Sequence, residues 1–282
     1  MQRNTFRIAA LLAAGALALS ACGGDGDDTE ATEGGGGDSD ETLTVGIKFD
    51  QPGLGLKDGD EYVGMDVDVA RAVAEELGFS EDQITFKESP SAQRETMLET
   101  GQVDMIFATY SITDTRKEKV QFAGPYFVAG QDLLVATDSD ITGPDDLDGK
   151  LLCSVTGSTS AVNVQEAVPG VQLQEYGTYS ECVEQLANGT VDALTTDDVI
   201  LAGYAAQEQY AGQFKVVGAP FSEENFGVGL AKDDDRCEEI NEILNGLWED
   251  GTMDQIIEDN LGGADYTPNA DNNPPEAGGH CG

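Results

Sequence analysis

From residue 42 onward the chain alternates between two hydrophobic periods, and that alternation restricts its fold more than any other feature. Residues 42–49 place Leu43, Val45, Ile47 and Phe49 on one face, the two-residue period of a strand packed on one side. From Asp66 the period lengthens: Val69, Ala70, Val73 and Leu77 share a helical face, and Gly78 supplies the stop. Further strands are predicted at 84–87, 103–108, 133–136, 151–155, 191–195, 214–217 and 228–231. Helices are predicted at 94–100, 158–167, 181–188, 199–207 and 235–248. Strands alternating with helices argue for an α/β protein with parallel sheets, and some 220 residues of this pattern strain a single core, so two sheets are expected.

Both ends of the chain lack such a pattern. Arg3 and Arg7 precede an apolar run at 8–19, shorter than the ~20 residues that span a bilayer, which reads as a signal peptide over 1–21. The run ends in Leu19-Ser20-Ala21-Cys22-Gly23, which resembles the bacterial lipoprotein box and implies a lipidated Cys22 as first residue of the processed chain. Residues 23–41 hold eight acidic residues, seven glycines and no large apolar side chain, so 22–41 reads as an extended, flexible tether. Its aspartates lack the spacing of a calcium-binding EF-hand loop. Residues 263–282 form a second polar tail, rich in Asn, Pro and Gly.

Charge and composition remove several function classes. With 54 Asp+Glu against 14 Lys+Arg the net charge is -40, a surface that repels phosphate backbones, so no nucleic-acid partner is expected. The single histidine, His280, lies in the C-terminal tail, which leaves no imidazole for a Ser-His-Asp or Cys-His arrangement or an HExxH metal site. There is no GxxxxGK[ST] loop, and the glycine-rich string at 53–59 has neither the spacing of a dinucleotide turn nor a helix directly after it. No cofactor and no metal are therefore expected. Besides Cys22, four cysteines remain, Cys153, Cys182, Cys237 and Cys281, in a chain that leaves the reducing cytoplasm, and two disulfides are the natural count. Three connectivities are possible. Pairing 153–182 with 237–281 is favoured, because each bridge then joins neighbours within one lobe and the second ties down the tail.

The segment Gly64-Met65-Asp66-Val67-Asp68-Val69-Ala70-Arg71-Ala72-Val73-Ala74-Glu75-Glu76-Leu77 resembles the signature of bacterial extracellular solute-binding proteins of the polar amino acid family, family 3, with Met65 where the family usually has Phe, Tyr, Ile or Leu. The blocks at 104–116 and 120–126 resemble the family's ligand-binding turn and the strand after it, and those at 147–150, 157–159, 189–193 and 226–231 continue the likeness. The resemblance implies a two-lobed type II periplasmic-binding-protein fold of flytrap form, each lobe a mostly parallel sheet flanked by helices. It implies lobe 1 from 43–132 and 221–262 and lobe 2 from 133–220. It also implies a monomer at the extracytoplasmic face of the membrane that captures an amino acid by lobe closure and delivers it to the permease subunits of an ABC importer.

Physical chemistry supplies the requirements of such a site. A buried zwitterion needs donors for its carboxylate and an anion for its ammonium. By the resemblance Arg116 holds the α-carboxylate, its planar fork suited to two parallel bonds, and Asp197 accepts the ammonium. Backbone N–H groups at Ser111 and Thr159 complete the carboxylate pocket, and Thr109 and Ser158 are candidate hydroxyl donors. Without the family pattern Arg116 reads as a solvated helix-start charge and Asp197 as a cap for the helix at 199–207. Arg94 and Lys48 stand where acidic-amino-acid binders of the family carry cations, and residues 46–55 look like those of glutamate-binding lipoproteins. L-glutamate is thus the leading ligand, with aspartate, glutamine and asparagine as alternatives. Phe49, Tyr62 and Tyr110 are candidates to pack on its methylenes. An amino-acid sensor is a competing class, and a dehydratase-like enzyme on the same fold is a further one, although the Arg116 and Asp197 pair favours capture over catalysis.

Overall fold

The computed structural model describes residues 42–282; the signal peptide, Cys22 and the tether lie outside the described residues. In chain order the elements are β1 (Leu43–Ile47), β2 (Asp50–Gln51), β3 (Gly55–Asp58), β4 (Glu61–Val63), α1 (Met65–Glu76), β5 (Ile84–Glu88), α2 (Arg94–Glu99), β6 (Met105–Ile106), α3 (Asp114–Lys117) and β7 (Gln121–Ala129). They continue with β8 (Gln131–Ala136), β9 (Leu151–Val155), α4 (Thr159–Ala167), β10 (Gln172–Tyr176), α5 (Tyr179–Ala187), β11 (Ala193–Asp197), α6 (Asp198–Ala205) and β12 (Phe214–Val216). The chain then returns through β13 (Glu224–Leu230), α7 (Cys237–Glu249) and α8 (Thr252–Leu261).

Two five-stranded sheets result, one per lobe, in the orders β5-β1-β6-β13-β7 and β10-β9-β11-β8-β12. Each is mostly parallel, as expected, with four strands running one way and a single strand opposed to them. β1 runs parallel to β5 and β6, and β9 parallel to β10 and β11, because helices carry the chain back between them. The strands next to the crossings, β13 in the first lobe and β8 in the second, enter from the opposite lobe and run antiparallel to their neighbours. The two crossing segments touch: a Cβ on Gly130 would lie 2.7 Å from Pro220, and Phe221 donates its N–H to the Gln131 carbonyl at 2.9 Å.

Local chemistry explains the main boundaries. α1 begins after Gly64 at φ 120°, where a Cβ would sit 2.1 Å from the Leu54 carbonyl oxygen, so glycine is required. It ends at Gly78, φ 89°, with the Gly78 and Phe79 N–H groups returning to the Glu75 and Ala74 carbonyls, a Schellman closure. The glycine-rich string at 53–59 is part of a small antiparallel sheet, β2-β3-β4, laid over the first lobe. Phe49, Tyr62 and Phe86 pack against one another there, with ring centroids 5.1 and 5.3 Å apart.

The disulfides are Cys153–Cys182, joining β9 to α5, and Cys237–Cys281, joining α7 to the tail. The tail runs along β7, the edge strand of its sheet. Asn273 exchanges two hydrogen bonds with the Val128 backbone, Gly278 donates to the Gly124 carbonyl, and the His280 carbonyl accepts from Phe122. A polar segment thus covers a strand edge that would otherwise present unpaired backbone.

Candidate functional site

The ends of β1, β6 and β11, together with the turns after them, converge on the cleft between the lobes. An open recess of about 570 Å³ enters it, lined by Ser91, Ala92, Glu95 and Arg116 from one lobe and by Gly157 and Thr159 from the other. Gly157 (φ 81°) approaches the opposite lobe so closely that a Cβ would lie 2.7 Å from the Ala92 Cα.

Arg116 sits in the short α3 behind the Thr113 cap and is buried, not solvated. Its Nη1 donates to the Ser111 carbonyl at 2.7 Å and its Nη2 to the Gly157 carbonyl of the other lobe at 3.1 Å, while Nε lies 3.3 Å from Glu95 Oε1. A guanidinium has five N–H donors, so two remain after these three. Ser111 forms a single bridge with Phe226 in which the flanking Tyr110 and Ile112 make the backbone bonds, leaving its own N–H and carbonyl outside the ladder. Its hydroxyl meets that of Thr159 across the cleft at 3.2 Å.

Thr159 opens α4, whose N-cap is Ser158; Ser158 Oγ accepts from the Ala161 N–H at 3.0 Å. Thr109 stands at φ 45°, strained for a β-branched residue, and its N–H donates to the buried Asp66 at 2.9 Å while its hydroxyl bonds the Ala108 carbonyl at 2.7 Å. Both hydroxyls expected to face a ligand are therefore engaged within the protein. Asp66, which also accepts from the Tyr126 hydroxyl at 2.7 Å, is raised to about 6 by burial.

Asp197 closes β11 and is 3% exposed. It does not cap α6 with its side chain; Asp198 Oδ1 accepts from the Val199 N–H instead. The Asp197 carboxylate faces Ser160 Oγ at 3.4 Å and has no cation within ion-pair distance among the described residues. Burial, and then the charges of Glu224 and Asp198, hold it well above the usual carboxylate range.

Lys48 and Arg94 are both buried, 3% and 2% exposed. Lys48 Nζ donates to Ser91 Oγ at 2.9 Å and lies 5.8 Å from the ring centroid of Tyr179 in the other lobe. Arg94 donates from Nη1 to the Ala108 carbonyl at 2.8 Å and stacks on Tyr110 at 4.1 Å, and its buried Nε has no partner. Neither makes an ion pair among the described residues. Burial, then repulsion from Arg94, pushes the Lys48 ammonium down to about 8; burial, then Arg116, lowers Arg94 to about 10. Two buried cations with no carboxylate in ion-pair contact among the described residues would be stabilised by an anion placed near them.

Four further residues of the cleft escape sequence reasoning. Tyr179 reaches in from α5, buried, with Lys48 Nζ 5.8 Å from its ring centroid. Glu95 fixes Arg116 and accepts from the Tyr110 hydroxyl at 2.8 Å. Glu224 is buried and joins the lobes through Asn163 Nδ2 at 2.8 Å. Asp50 meets the second lobe at α5. Only the apposition of the lobes brings these together; a faint sequence signal exists for Glu95 alone, one residue after Arg94.

Comparison with known proteins fits this geometry. The chain is 49% identical to the glutamate-binding protein GluB of Corynebacterium glutamicum over 93% of its length and 92% of that protein. It is 34% identical to the ABC transporter glutamine-binding protein GlnH of Bacillus subtilis, covering 90% of this chain and 96% of that one. Among solved structures, an ancestral arginine-binding protein bound to glutamine superposes with a TM-score of 0.72 at 36% identity, covering 78% of this chain and 98% of that one. With two α/β lobes around a charged cleft, and with the family's sequence model matching residues 43–263, the chain belongs to the bacterial extracellular solute-binding proteins, family 3.

Proposed function

We propose that the protein captures L-glutamate in this cleft by closing lobes built from 43–132 with 221–262 and from 133–220, and delivers it to the permease of an ABC importer. One observation carries the reading: among the described residues Lys48 and Arg94 are buried without a carboxylate in ion-pair contact, while Arg116 keeps two N–H donors and Asp197 lacks a cation. The complement of that set is one ammonium and two carboxylates. Arg116, with the backbone at Ser111 and Thr159, takes the α-carboxylate; Asp197 takes the ammonium; Lys48 and Arg94 take the side-chain carboxylate. An amide ligand would leave both cations uncompensated. The name of the 49% identical relative points to the same amino acid.

As a member of an extracellular family the protein works outside the cytoplasm. We further propose that a lipid on Cys22 holds it at the membrane, with 22–41 as the tether.

A thermal-shift panel of the common L-amino acids tests the ligand. Selective binding to the folded state raises stability by about 4 kcal/mol at a thousandfold excess over Kd. The largest shift is expected with glutamate. A larger shift with glutamine, or none with any amino acid, overturns the reading.

A further inference from the structure

Asp50 belongs to the first lobe, on β2, yet its Oδ2 is held by the second. It accepts from the backbone N–H groups of Tyr179 at 3.0 Å and Ser180 at 3.2 Å, and from Ser180 Oγ at 3.3 Å. These are the first two N–H groups of α5. The helix's own cap, Thr178, takes only the N–H of Glu181, so Asp50 satisfies donors that the second lobe leaves open. A carboxylate there also faces the positive end of the helix. The Tyr204 hydroxyl of α6 reinforces the contact by donating to the Asp50 carbonyl and lying 3.2 Å from Oδ2. Beside it Pro52 abuts α6, where a Cβ on Gly203 would lie 2.2 Å from the Pro52 carbonyl oxygen. The receiving helix is itself tied to β9 by Cys153–Cys182, so the contact engages the second lobe as a unit.

We infer that Asp50 is a latch: a positioning residue that binds lobe to lobe when the cleft is shut and sets how much of the protein occupies the closed state. The inference rests on the closing motion proposed above. Because every bond it makes is to protein, it strengthens binding of any ligand that needs the closed form, in proportion to the closed population. It therefore sets affinity and residence time, whereas Lys48 and Arg94 set selectivity.

The test measures glutamate and glutamine affinity and dissociation rate for the wild type, Asp50→Ala, Asp50→Asn and Tyr204→Phe, with circular dichroism and melting to verify folding. Asp50→Ala is expected to weaken both ligands by the same factor, about tenfold, the size of a lost helix cap. The change should appear in faster dissociation. Asp50→Asn, which keeps one acceptor, should recover part of it, and Tyr204→Phe should show a smaller loss of the same pattern. Unchanged affinity in folded Asp50→Ala, or a loss confined to glutamate, overturns the latch. Hydrogen exchange at the Tyr179 and Ser180 amides reads the contact without ligand. If the wild type binds no amino acid, the ligand reading falls, and exchange alone decides the latch: faster in Asp50→Ala supports it, equal rates refute it.

Discussion

Glu95 Oε1 lies 3.3 Å from the Nε of Arg116, so the guanidinium is gripped from its stem side while the two free N–H donors stay at its outer end. The acid acts as an orienting group, since Arg116 also spends one bond on the opposite lobe at the Gly157 carbonyl. With Arg116 in its proposed role, this arrangement presets the fork that receives the carboxylate and leaves little ordering for the ligand to impose.

Arg116→Ala and Asp197→Ala should each abolish binding of every amino acid ligand. Truncating one partner of a buried charge pair leaves the other uncompensated, a cost on the order of 3–5 kcal/mol, or two to three decades or more in affinity. Glu95→Gln should weaken binding less, because it loosens the guanidinium without removing it. Calorimetric titration checks all three, and near-wild-type affinity in either alanine variant removes that residue from the site.

Lys48→Gln and Arg94→Gln should alter which ligand is preferred. Glutamate should weaken by roughly 2–4 kcal/mol in each, while glutamine, with no side-chain charge to strand, loses much less. Competition assays in which both ligands weaken equally would separate these cations from side-chain recognition.

The preference for glutamate over glutamine should fall in alkaline solution. Free Lys48 loses its proton near 8, and a bound carboxylate holds that proton on, so the complex carries more protons than the free protein above that pH. The ratio of the two affinities is then flat below about pH 8 and declines above it by at most about tenfold per unit. Taking the ratio cancels the titration of the ligand's own ammonium, which both share.

Unliganded stability should increase from pH 7 to pH 5. Asp66 is raised to about 6 in the folded protein from 3.8, so between those values the native state holds a proton that the unfolded chain lacks. Its contribution is complete below 3.8 and is lost as pH rises through 6, a range worth about 3 kcal/mol at 1.36 kcal/mol per unit. Burial shifts Asp132, Asp197 and Asp198 the same way. Thermal melts at fixed ionic strength across this range check the sign, and a fall in melting temperature on acidification contradicts it.

Cys22→Ala should release the protein from the membrane fraction. Retention of that variant there, with no acyl mass on the N-terminus of the wild type, would exclude the lipid anchor.

Much of the fold was readable from hydrophobic period. α1 starts at Met65, one residue before Asp66, and α4 runs from Thr159 to Ala167, inside the expected 158–167. Period failed where burial is two-sided or slight. All nine residues of β7 are buried, so nothing alternates, and β10 at its sheet edge is too exposed to show a stripe. α8 went unassigned although Met253, Ile256, Ile257 and Leu261 stand at helical spacing. In the proposed site, the cations Lys48, Arg94 and Arg116 were legible through their places in the family pattern, since by itself Arg116 reads as a solvated helix-start charge. Asp50, Glu95 and Glu224 were hidden among 54 acids, and their identity depends on partners as distant as 129 residues along the chain.

The place of β13 between β6 and β7 governs the order in which the molecule can be assembled as the chain emerges from its N-terminal end. The second sheet draws all its strands from 131–216, an unbroken stretch, so that lobe can be finished while the remainder of the chain is still in transit. The first sheet begins earlier yet must wait, its β7 unpaired, for a strand encoded after the whole of its neighbour. The bridges divide in the same way: Cys153 and Cys182 both lie in the stretch that builds the second lobe, whereas Cys237 is joined to Cys281, beyond the last strand of the first.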